Sequence, residues 1–183
     1  MKEHSLTTNL RVAAFGLALA ILTLLFGQGM GIVFGLNEDA IKSRLRAATI
    51  DVRESVYHTD DAAIKAVLDK SWSYMQRAHL HAGGMGATAV ALIILLCLIT
   101  SSVRMIIPLS AGLGLGGLGY SIFWMWAGFR APTLGSTGAA KESLRWLAMP
   151  SSGVFVVATL AVFMLVIAAL IAPRPNSSES LKN

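Results

Sequence analysis

The chain has 183 residues, 55% of them hydrophobic and only 14% charged, with a formal net charge of +5. Soluble domains carry about a quarter charged residues, so this balance points to a bilayer as the solvent. The basic residues are scattered instead of clustered, which argues against nucleic acid as a partner, and a single cysteine, Cys97, rules out an internal disulfide.

Spans are predicted at about 12–36, 81–103, 105–128 and 149–172, each free of acids in its interior and long enough for a hydrocarbon core that needs about 20 helical residues. They are continuously apolar instead of alternating with period two, so they read as helices and not as barrel strands. The fold class is therefore all-α: an integral membrane four-helix bundle, one membrane domain over 1–183. The plasma membrane, or the inner membrane of a bacterium, is the expected location.

The first span exceeds the roughly 7 to 15 apolar residues of a signal peptide and reads as uncleaved. Gly27, Gly31 and Gly35 recur every fourth residue and mark a face for close helix packing, with Gln28 on its border. An extramembrane helical hairpin is predicted over 38–78. Its first arm follows Asn37 and repeats Ile41, Leu45, Ala48, Val52 and Val56 at spacings of three and four. The pattern breaks at Tyr57-His58-Thr59, putting His58 at the distal tip. Thr59 is the expected cap of the second arm, with Ile64, Val67, Leu68, Ser71 and Met75 on one side.

The stretch from Tyr74 to Gly86, YMQRAHLHAGGMG, is where the charged hairpin becomes the second span. Gly83, Ala87 and Ala91 form a small-residue stripe expected to meet the glycines of the first span. His79 and His81 are two residues apart, so on a helix they point about 200° away from each other and do not share one metal ion. His79 is expected to face the bundle, and His81 the opposite side with Arg77.

In the third span, Gly112 to Gly117 formally matches the dinucleotide fingerprint, but the run lies inside an apolar helix and lacks the strand and turn that the mechanism requires. Gly112, Gly116 and Gly119 read instead as a packing face. Trp124 and Trp126 are expected to belong to an interfacial aromatic belt. A short amphipathic helix at 139–149 presents Lys141 and Arg145, and the turn before it is either a plain cap or an anion cradle. The fourth span, with no ionisable residue, reads as a lipid-facing wall, and 174–183 as a tail without regular structure.

Ten Lys and Arg residues fall on the side of the two long connections and five on the side of the termini, which favours a cytoplasmic hairpin. No charged residue lies at the centre of a span, so a proton relay, an ion-coupled transporter and a charge-selective pore lack their usual parts. No nucleophile and base pair up either, and no enzymatic activity is expected.

The residues left over for binding are set by depth. Gln28 lies ten residues from Glu38 and Tyr120 ten from Arg130, so each sits about 15 Å inside the same surface. With His79, His81 and Trp124 nearer that surface and Arg130 at it, these residues are the candidate lining of one polar-bottomed cleft, suited to a quinone-like or lipid headgroup. No cofactor is required. A haem held by two histidines of one chain lacks its second ligand in another span, which leaves Met30, Met85 or a shared dimer site. The first expectation is thus a non-catalytic accessory or subunit protein, embedded in lipid and associated with another membrane protein or with itself. A redox-linked binder of haem or quinone is the alternative from another class, and passive transport of a small neutral solute is the third.

Overall fold

The computed structural model describes residues 2–171, so the expected tail lies outside the described residues. The chain forms α1 (Lys2–Val12), α2 (Ala14–Ala47), α3 (Asp61–Ile99), α4 (Val103–Leu134), α5 (Thr137–Glu142) and α6 (Arg145–Ile171), with no strand among the described residues. The protein is an all-α bundle, and α2, α3, α4 and α6 are long and apolar enough to cross a membrane. At 34 and 39 residues, α2 and α3 extend about 50 and 58 Å, well beyond a hydrocarbon core of about 30 Å. Their surplus, with the end of α4, builds a head on one side. Asn37, at φ −132° and ψ 25°, kinks α2 where its apolar run gives way to that head.

The central element is α4, which packs against α2, α3 and α6. Half of its most apolar 18-residue window is buried, against 11% for α6. Its glycines explain this position. Gly112 meets Val154 and Ala158 of α6, and a Cβ on Gly116 would stand 2.7 Å from the Ser151 carbonyl oxygen. On another side, a Cβ on Gly114 would stand 2.6 Å from the Gly16 carbonyl oxygen, while Gly16 itself lies against the Ser110 backbone. Lipid tails are as apolar as leucine, so helices associate in a bilayer through such close backbone approach more than through apolar burial. The predicted face Gly112, Gly116 and Gly119 is the contact with α6, whose other sides remain exposed.

The α2/α3 contact differs from the expected stripe. Gly27 packs on Ala82 and Gly83, but Gly86 is the residue that approaches the Leu24 backbone, at 2.8 Å from a Cβ placed on it. Ala82, Gly86 and Ala89 are buried, whereas Ala87 and Ala91 are exposed. Small residues cover more than one face of α3, so composition alone does not select the buried one. Gly35 likewise has nothing near it.

The hairpin also departs from two straight arms. α2 ends at Ala47, and 48–59 is a run of turns that folds back over the end of α4. Tyr57 is buried and its hydroxyl donates to the Pro132 carbonyl at 2.6 Å. That carbonyl lies in the last turn of α4, where no intrahelical donor reaches it. Val56 packs on Gly135, which closes α4 at φ +62°. Thr59 does not cap α3: its φ of +62° is left-handed, while an N-cap needs an extended backbone. Asp60 takes the role, accepting from Ala62 N at 2.9 Å and Ala63 N at 3.0 Å. The predicted helix at 139–149 is split, Lys141 lying in α5 and Arg145 opening α6. Ser136 caps α5 by accepting from Ala139 N.

At the opposite end, Asn9 is buried and donates to the carbonyls of Cys97 at 2.9 Å and Thr100 at 3.0 Å. It satisfies two of the terminal carbonyls of α3 and ties α1 to the turn before α4.

Candidate functional site

The candidate residues are organised by the two sides of α3. His79 faces α2, where its Nδ1 lies 2.7 Å from the Gly27 carbonyl oxygen. A carbonyl only accepts, so Nδ1 carries a hydrogen and donates it; in the neutral ring Nε2 is then the acceptor. The ring lies over Gly31, where a Cβ would stand 2.8 Å from His79 Cε1, so glycine is what lets the imidazole reach the backbone. Phe34 approaches it edge-on at 6.4 Å and meets Trp72 at 5.2 Å. Gly31, Phe34, Gly35, Glu38, Trp72 and His79 are among the residues that line an open groove of about 430 Å³. At its mouth Lys42 pairs with Glu38 and lies 5.3 Å above the Trp72 ring.

His81 faces α4. Its ring stacks on Trp124 at 6.0 Å and 20°, and meets Tyr120 edge-on at 5.0 Å. Arg77, one turn earlier on α3, lies 5.1 Å from the Trp124 ring and 5.6 Å from that of Tyr74. Lys141 lies 5.9 Å from the same tyrosine ring. Neither cation is in an ion pair among the described residues, so aromatic faces serve where carboxylates are absent. Trp124 is only 9% exposed and its buried Nε1–H has no hydrogen-bond partner among the described residues. The expected belt position of Trp124 is therefore corrected: it is core, packed with Met30, Tyr74 and Ala78. Trp126 and Trp146, 6.3 Å apart and exposed, occupy the periphery instead.

The single cleft expected from depth is thus two half-sites on opposite sides of one helix. His81, Tyr120 and Trp124 come together between α3 and α4. His79 stands apart, against α2. Gln28 is exposed beside Gly27 instead of pointing into the bundle, because the α2/α3 contact is centred on Gly27, 100° around the helix. Arg130 is half-buried, six residues and about 9 Å beyond Trp124 along α4. Tyr74, Arg77 and Lys141 belong to the aromatic cluster although sequence reasoning did not single them out for it. The spacing of Tyr74, Arg77 and His81 by three and four residues was the available signal.

Within one chain the two histidines face different helices, α2 and α4, and Met30 is packed in the cluster of Tyr74 and Trp124. Met85 packs beside Gly117 of α4. The class defined by this architecture is a membrane-embedded four-helix bundle with an extramembrane head. Compared with family models, curated proteins and solved structures, the chain matches none.

Proposed function

We propose that the protein is a non-catalytic membrane subunit or accessory factor that engages a partner protein through its head. The observation that carries this reading is a cleft of about 550 Å³ between the end of α2 and the start of α3. Ile50, Ile64 and Leu68 give it an apolar centre, and Arg46, Lys65 and Asp69 a rim of both signs. Ile50 is 68% exposed although it stands outside the apolar span. An apolar centre inside a polar rim is the arrangement of protein interfaces. The exposed faces of α6 are a second surface for lateral contact in the bilayer.

The test is native purification after mild solubilisation, comparing the unaltered protein with Ile50→Asp. The expected result is a stoichiometric partner, a different chain or a second copy, whose recovery falls about tenfold in the variant while the melting temperature holds. A lone monomer at native expression, or recovery indifferent to Ile50→Asp, overturns the reading.

A further inference from the structure

We propose that the α2/α3 groove beside His79 binds the head of a lipid-soluble quinol, an aromatic ring with a hydroxyl at each end and an apolar tail. The first reason is the fixed tautomer. Because the Gly27 carbonyl holds the Nδ1 hydrogen, the neutral ring offers the Nε2 lone pair as an acceptor for a hydroxyl. No side chain of the described residues takes up that lone pair, and the ring lines an open groove.

The second reason is shape. Phe34 and Trp72 give the groove flat apolar walls, and its volume of about 430 Å³ lies within the roughly 300 to 1,000 Å³ of small-molecule sites. Beside Phe34, Gly31 and Gly35 leave the α2 backbone bare, and a Cβ on Gly35 would meet nothing within 4 Å. The third reason is Gln76, which lines the same groove one turn before His79 on α3. It is exposed and has no hydrogen-bond partner among the described residues. Its amide carbonyl and NH₂ can both bond an oxygen-bearing ligand. One quinol hydroxyl donates to His79 Nε2, and the second oxygen meets the Gln76 amide. Charge selects against an anionic lipid head, since Glu38 lines the mouth and is matched by Lys42.

The experiment uses the full chain in phosphatidylcholine nanodiscs with a short-tailed benzoquinol kept reduced. Binding is read by the ¹⁵N shift of the His79 ring and by quenching of Trp72 fluorescence, with Trp72→Phe identifying that signal. Saturable binding is expected, weakened at least tenfold in both His79→Phe and Gly35→Leu and unchanged in His58→Ala. Gly35→Leu fills the groove from a position that touches nothing, so it keeps the test decisive if His79→Phe does not fold. Quenching that grows linearly without saturating, saturable binding indifferent to Gly35→Leu, or displacement by phosphatidylglycerol but not by the oxidised quinone overturns the assignment.

Discussion

Asn9 shows how much one side chain can organise at a helix end. Its amide closes two carbonyls where α3 stops, and both acceptors lie about 90 positions away in the chain. Nothing in MKEHSLTTNLR marks Asn9 apart from its polar neighbours, because the partners are backbone atoms that no sequence pattern announces. Removing the amide strands buried carbonyls, which costs about 1–3 kcal/mol. Asn9→Ala is accordingly expected to lower the melting temperature in detergent, whereas Ser55→Ala, at an exposed position, leaves it within error; equal melting of the two would remove the latch. His79 was more legible. Its direction follows from helical geometry alone, and only its bond to Gly27 required coordinates. Gln28 was not legible in the same way, since a turn of 100° separates a border residue from an outward one.

The element that surprises is the segment 48–59. Its apolar spacing continues the helical period of α2, and from sequence it reads as an arm; in the folded protein it bends over α4 because a terminal carbonyl there takes the Tyr57 hydroxyl. The bond joins residues 75 positions apart, beyond any local signal. Burial pushes the Tyr57 hydroxyl above the usual tyrosine pKa of about 10. A group raised in the folded state stabilises fully below its unfolded pKa. As pH climbs through about 10 the detached segment loses its proton first, and the contribution fades until the folded-state value is passed. Amides of 48–59 are therefore expected to lose hydrogen-exchange protection above pH 10, beyond the intrinsic rise in exchange rate. Tyr57→Phe should show about 1 kcal/mol less protection at neutral pH and no such extra alkaline loss. Protection equal in both proteins across the range would refute the lock. The glycine face of α4, by contrast, was readable from spacing, because within one straight helix the period alone decides which residues share a side.

For the whole molecule, four apolar runs determined the architecture before any coordinate, while the arrangement around α4 needed the glycine contacts to be seen. We propose that the head is the cytoplasmic end, because ten of the Lys and Arg residues of the sequence fall in the two long connections and five towards the other side. Cys97 is 2% exposed, so it is a quiet background for labelling. Ser55→Cys, at an exposed head position, is expected to react with a membrane-impermeant maleimide only after cells are opened. Labelling of intact cells would invert the topology without altering the fold.

The placement of the two histidines has a mechanical consequence. α3 runs from Asp61 to Ile99 without a proline, whereas α4 contains Pro108 and Pro132 and α6 contains Pro150. It is the one unbroken strut between the head and the far surface that carries both imidazoles, one braced on α2 and the other on α4. A sideways displacement of this strut toward α2 would press the His79 seat and draw His81 away from Trp124, and the reverse displacement would do the opposite. A lateral load on the head would therefore reach both rings at once, with opposite sign.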